Sequence, residues 1–213
     1  SLTVTEPLDG SVHSFGEAVS FAAEVSDQED LPSEVSLVWE SDVDGELSTA
    51  SADSTGLASF TNSGLSAGLH ALTVTATDSY GLTATRNQSF RINTLPTAPT
   101  VAIAPDPATT SDTLSASATD HTDADGDALS LSYLWYKDGV ATTNVSTSVS
   151  PGDTAKGQTW RVDATANDGY ADGPVGSASV TISNTPPVAS GVSISPAVPD
   201  SGTLLTCTGS ATD

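Results

Sequence analysis

Asp120, Asp123, Asp125, Gly126 and Asp127 fall within the single run DHTDADGD, four carboxylates in eight residues. Carboxylates crowded this closely repel one another unless a cation neutralises them. A set of oxygen donors on a flexible loop suits calcium, which takes about six to eight oxygens. Asp and Gly are also ordinary turn formers, so the run can equally be read as a solvated turn. It is not an EF-hand: counted from Asp123, the glycine stands fourth instead of sixth, and the twelfth residue is Leu134 instead of Glu.

No other constellation supplies reaction chemistry. His13, His70 and His121 are scattered, without the paired spacing of a zinc site. No phosphate-cradling loop occurs, and the one Gly-x-Ser-x-Gly string, Gly64-Leu65-Ser66-Ala67-Gly68, stands between short alternating strands and not at the strand-to-helix turn of a nucleophile elbow. Acidic pairs are plentiful, but a glycosidase dyad needs a cleft, and small β-domains present turns. The chain is therefore expected not to be an enzyme. Cys207 is the only cysteine, so no disulfide forms within the chain. Its place in the alternating run from Leu205 reads as a small, buried apolar position. Asn87-Gln88-Ser89 and Asn144-Val145-Ser146 match the short glycosylation sequon.

Twenty-seven acidic residues against five basic ones give a formal charge of −22. Such a chain has no basic surface to displace the counterions of nucleic acid, and none to hold an anionic membrane. Acidity alone would serve solubility, whereas its clustering at turns favours cation binding. Hydrophobic residues make up 37% and aromatics 5%, which allows small cores of Val, Leu, Ala and a few Trp. Abundant Ser, Thr and Gly, with no Met, favour short strands and many turns. There is no signal peptide and no apolar stretch of about 18 residues, so membrane insertion of this segment is not expected. The opening Ser1-Leu2-Thr3-Val4 is expected of a piece of a longer protein.

The elements that must carry the acidic loop come from an internal repeat. In residues 1–93, Val19, Phe21, Ala23 and Val25 alternate with polar residues, as a half-buried strand requires. An acidic loop follows (Asp27, Glu29, Asp30), then Val35, Leu37 and Trp39, and a turn at Asp42-Val43-Asp44-Gly45. Leu72, Val74 and Ala76 alternate next, Asp78-Ser79-Tyr80-Gly81 turns the chain, and Phe90 and Ile92 close the unit. Residues 100–184 repeat this order. Leu114, Ala116 and Ala118 precede the DHTDADGD loop, and Leu131, Tyr133 and Trp135 follow it. Trp160, Val162, Ala164 and Ala166 then lead to Asn167-Asp168-Gly169. A proline linker at 94–99 joins the two units. Residues 185–213 start a third: Val192-Ser193-Ile194 copies Val101-Ala102-Ile103, and Ala211-Thr212-Asp213 copies Ala118-Thr119-Asp120. That remnant holds about two strands, too few for a core.

Short alternating strands with a central Trp predict tandem all-β, immunoglobulin-like β-sandwich domains of about seven strands each, the third incomplete. The chain resembles the tandem immunoglobulin-like repeats of large bacterial secreted and surface proteins, in the PKD and cadherin-like range. The residues that carry the likeness are Asp27-Gln28-Glu29-Asp30, Trp39 to Gly45 and Ala76 to Leu82, then Asp123 to Asp127, Trp135 to Gly139 and Asn167-Asp168-Gly169. In such a sandwich the loop after the second strand, the final hairpin and the incoming linker share one end. Asp120, Asp123, Asp125 and Asp127 are then expected to converge with Asp168 beside Asn93 as a calcium site. Asp27, Glu29, Asp30 and Asp78 form a thinner version in the first unit, and Asp213 with Asn184 the beginning of one in the third. Asp42, Asp44 and Asp138 are expected to be plain turns.

These readings imply an extracellular, non-catalytic structural or adhesive region: a calcium-stiffened spacer in a surface, stalk or filament protein. Its partners would be neighbouring repeats or like subunits. The alternative is a glycan- or receptor-binding module attached to a secreted enzyme or adhesin. For that role Tyr80, Tyr136 and Tyr170 are the available exposed aromatics, because Trp39 and Trp135 fall on core positions.

Overall fold

A computed structural model of the chain describes residues 1–212. The chain divides into two compact units, one made of residues 1–97 with 122–130 and 166–174, the other of 98–121, 131–165 and 175 onward.

The first unit is built on β1 (Leu2–Glu6), β2 (Ser11–Ser14), β3 (Val19–Val25), β4 (Ser36–Ser41), β5 (Gly45–Ser48), β6 (Leu57–Asn62), β7 (Gly68–Thr77) and β8 (Thr83–Asn93). One sheet runs β1-β3-β6 and the other β2-β8-β7-β4-β5. Strand β2 is an addition to the seven expected. Pro7 cannot donate to the ladder and Gly10 turns at φ +75°, so the first strand breaks and its second part crosses to pair in parallel with β8.

Period-two alternation places Val19, Phe21, Ala23 and Val25 of β3 inward, opposite Leu72, Val74 and Ala76 of β7. Phe21 stacks on Phe60 at 4.7 Å and meets Trp39 edge-on at 6.2 Å. Each such fully buried side chain stabilises the sandwich by roughly 1.5–3 kcal/mol. His70 is buried too, its ring stacked on Phe90, with Nδ1 against Ser41 Oγ at 2.7 Å and Nε2 against Ser66 O at 2.8 Å. Satisfied on both nitrogens and closed to solvent, it is a core histidine.

The second set of strands comprises β9 (Thr100–Ala104), β10 (Ala108–Thr109), β11 (Leu114–Thr119), β12 (Ser130–Lys137), β13 (Val140–Ala141), β14 (Ser148–Val149), β15 (Thr159–Asn167) and β16 (Gly176–Ser183). Its sheets run β14-β11-β9 and β10-β16-β15-β12-β13. Strand for strand this is the topology of the first set, including the parallel pairing of β10 with β16. Trp135 and Trp160 meet edge-on at 6.3 Å in the core, and Trp135 Nε1 donates to Ser146 O at 2.9 Å.

Two further strands, β17 (Val188–Ser195) and β18 (Thr206–Thr212), pair with each other in a two-stranded sheet. Cys207 lies on β18 and is exposed, against the expectation of a buried thiol. The reason is local. A two-stranded ladder leaves both faces to solvent unless another layer packs on it, and every residue of both strands is exposed.

Candidate cation site

The acidic loop is shaped by its first carboxylate. Asp123 Oδ1 accepts the backbone N–H of Asp125 at 2.8 Å and of Asp127 at 3.2 Å, while Gly126 takes the left-handed φ of +77° that this tight loop needs. The fold brings donor oxygens of Asp123, Asp125 and Asp127 within 4.8 Å of one another.

Each of the three carboxylates has a different environment. Asp123 Oδ2 is buried without a hydrogen-bond partner. Asp125 is gripped by one residue: Thr94 N donates to its Oδ2 and Thr94 Oγ1 to its Oδ1, both at 2.9 Å. Asp127 Oδ2 pairs with Arg91 Nη1 at 2.9 Å, and the Arg91 guanidinium lies over the Tyr170 ring, 4.6 Å from its centroid. A partly buried ion pair of this kind removes part of the repulsion that the cluster would otherwise feel.

Asp168, on the hairpin after β15, is buried at 4% exposure. Its Oδ1 accepts the N–H of Tyr170 at 2.7 Å and of Ala171 at 2.6 Å, and its Oδ2 accepts Asn93 Nδ2 at 2.9 Å. Burial pushes the Asp168 carboxyl upward, but the donors on Ala171, Asn93 and Tyr170 outweigh it and hold the group below the usual carboxylate value. Asn93 is buried as well. Its Nδ2 also donates to Thr94 O at 3.1 Å, and its Oδ1 is left without a partner. Thr97 and Thr122 bond through Thr97 N to Thr122 O and Thr122 N to Thr97 Oγ1, both at 2.8 Å. Pro96 and Pro99 are buried rather than solvated.

Asp120 is exposed, takes a left-handed φ of 58°, and accepts Thr119 Oγ1 at 3.0 Å. Neither it nor Asp168 joins the group of three. In the thinner set, Asp27 Oδ1 accepts the N–H of Glu29 and Asp30 at 3.1 and 3.3 Å. Asp30 in turn accepts Ser79 N and Oγ at 2.9 and 2.7 Å, and Asp78 Oδ1 accepts Tyr80 N and Leu82 N at 2.9 and 2.8 Å. Among the described residues these four do not gather into a cation-sized cluster. Asp42 and Asp44 bond backbone N–H groups of Ala71 and Ser66, and Asp138 that of Thr159, as turn residues do. Asn184 is exposed, with Nδ2 on Thr185 O at 2.7 Å, and Asp213 lies outside the described residues.

An all-oxygen donor set with an unpartnered buried carboxylate oxygen, and a second orphaned oxygen on Asn93, fits a hard cation such as calcium. The three aspartates and Asn93 were among the expected ligands, whereas Thr94 and Arg91, which bond Asp125 and Asp127, were not. Nothing in the chain marks Arg91 except its rarity as one of five basic residues.

Among solved structures the chain is similar to an ICAM-5 D1-D4 ectodomain fragment, with a TM-score of 0.52 and 14% identity over 92% of this chain and 56% of that one. The fold is the immunoglobulin-like β-sandwich. Fibronectin(III)-like modules of Clostridium thermocellum CbhA (TM-score 0.39, 15% identity, 86% of this chain and 95% of theirs) and murine CEACAM1b (0.45, 10%, 87% and 100%) are also matched. No protein-family model matches the chain, and no curated protein does. No helix among the described residues is long and apolar enough to cross a membrane.

Proposed function

We propose that the chain is an extracellular, non-catalytic structural or adhesive repeat segment, a spacer whose loops are stiffened by calcium. The observation that carries this reading is the Asp123–Asp125–Asp127 cluster, with its orphaned Asp123 oxygen and with Asp125 bonded to Thr94 of the linker. Asp123 and Asp125 would supply carboxylate ligands, Asp127 a third once shared with or released from Arg91, and Asn93 Oδ1 a neutral oxygen. Calcium, when bound, supplies the positive charge that lets these oxygens sit together. Residues 93–97 are already held by the acidic loop and hairpin through hydrogen bonds from Thr94 to Asp125, from Asn93 to Asp168 and between Thr97 and Thr122. A cation added to that network would hold the linker in one conformation, which is what a spacer requires. Neighbouring repeats or like subunits are its proposed partners.

The test is a thermal melt of the whole chain with chelator and after calcium add-back, paired with small-angle scattering. A raised Tm and a narrowed distribution of molecular dimensions on add-back support the reading. Identical curves in both conditions overturn it.

A further inference from the structure

The first sandwich carries the parts of the same linker-holding device. Ala76-Thr77-Asp78-Ser79-Tyr80 corresponds to Ala166-Asn167-Asp168-Gly169-Tyr170, and both aspartates use Oδ1 to bind the N–H groups that follow them. Asp27, bonded to the N–H groups of Glu29 and Asp30, corresponds to Asp123, bonded to those of Asp125 and Asp127. Counted from these turn-heading residues, Glu29 stands where Asp125 stands.

The difference lies in what the second oxygens hold. Asp168 Oδ2 takes Asn93 Nδ2, and Asp125 takes both donors of Thr94. Asp78 Oδ2 and the Glu29 carboxylate accept no hydrogen bond among the described residues, and Glu29 is exposed. Beside Asp78 opens a pocket of about 190 Å³ whose lining includes Ser1, Ser26, Asp27, Val35, Asp78 and Leu82, with Glu29 two residues beyond Asp27 and outside it. Its lining combines carboxylate acceptors, Asp27 and Asp78, with apolar Val35, Ala76 and Leu82. The chain also contains a second Asn-Thr pair, Asn184-Thr185, whose asparagine is braced on the next carbonyl as Asn93 is.

We propose that this pocket, with the Asp27–Glu29 turn at its side, receives the Asn-Thr linker of a like repeat, the asparagine amide on Asp78 Oδ2 and the threonine N–H and hydroxyl on Glu29. An asparagine amide and a threonine offer three donors and no charge, which matches two carboxylates that need donors without a metal. The inference goes beyond the calcium reading and does not depend on it.

The experiment fuses a copy of residues 91–98 ahead of Ser1 of the full chain, in buffer containing chelator. Control extensions carry alanine at the asparagine and threonine. Amide resonances of Tyr80 and Leu82, and melting followed at the Trp39 indole, are the readouts. The native extension is expected to shift both resonances and to raise Tm by about 4–8 °C. The alanine extension, and the native extension on Glu29→Gln, are expected to lose most of that rise. Equal melting for native and alanine extensions, with unmoved Tyr80 and Leu82 resonances, would overturn the proposal. So would a rise that appears only when calcium is added, since these hydrogen bonds need no metal.

Discussion

Asn93 Nδ2 donates to Asp168 Oδ2 at 2.9 Å, joining positions 75 residues apart in sequence, and both side chains are buried. Removing the amide strands a buried carboxylate oxygen. Asn93→Ala is therefore expected to cost about 1–3 kcal/mol in equilibrium urea unfolding. Asn184→Ala, at an exposed asparagine, is expected to stay within about 0.5 kcal/mol. Equal effects at the two sites would show that the Asn93 bond contributes nothing.

Gly173 passes so close to Pro96 that a β-carbon built on it would strike the Pro96 carbonyl, which is backbone and cannot swing aside. Gly173→Ala is expected to destabilise by about 1–3 kcal/mol. Gly152→Ala, at a glycine with ordinary φ and open space around it, is the control and is expected to be near neutral. Chemical denaturation of the two variants decides.

At about ten times its dissociation constant, one calcium ion would add roughly 1.4 kcal/mol to the folded form. Asp123→Asn keeps much of the turn geometry but weakens the charge, so calorimetric titration should show lower affinity. Arg91→Gln should act in the opposite direction. It frees Asp127 for the metal, raising calcium affinity while lowering stability in chelator. Loss of affinity in Arg91→Gln would contradict this assignment.

The pH dependence follows from carboxylates held low by hydrogen bonds, Asp9, Asp53 and Asp112 as well as Asp27 and Asp168. Hydrogen bonds from the N–H groups of Glu29 and Asp30 hold Asp27 below the usual value of 3.8, and Asp168 is held below it as described. Folded-state values below the unfolded ones contribute stability that is complete above the unfolded range and is lost as pH falls through the folded values. Relief of the −22 charge on acidification works the other way, but at about 0.15 M salt it is screened beyond roughly 8 Å. Tm is therefore expected to stay level from about pH 7 to 5 and to drop below about pH 4. A Tm that climbs on acidification would mean that repulsion dominates.

The strands were legible because alternation is a property of neighbours in sequence. Phe21, Trp39, Val74 and Val162 all lie buried where period two placed them. The place of Asn93 near the Asp168 hairpin was expected from the shared end of the sandwich, whereas the turn-heading role of Asp123 emerged only in the fold. The grip of Thr94 on Asp125 and the pairing of Arg91 with Asp127 were not expected, because they depend on which side chains meet after the chain has folded back. Asp120 departs from the expected cluster through backbone geometry. Its φ of 58° places it in the left-handed region that Asp tolerates better than most residues, and run composition gives no hint of that. Strand β2 was missed because four residues pairing with β8 carry too little periodicity to be seen.

The β17–β18 hairpin sets Ile194 opposite Cys207, matching Ile103 opposite Ala116 in the second sandwich, and every residue of its two strands is exposed. With both faces of the ladder open to solvent, deuterium is expected to enter these amides sooner than those of the buried strands β3, β7 and β15.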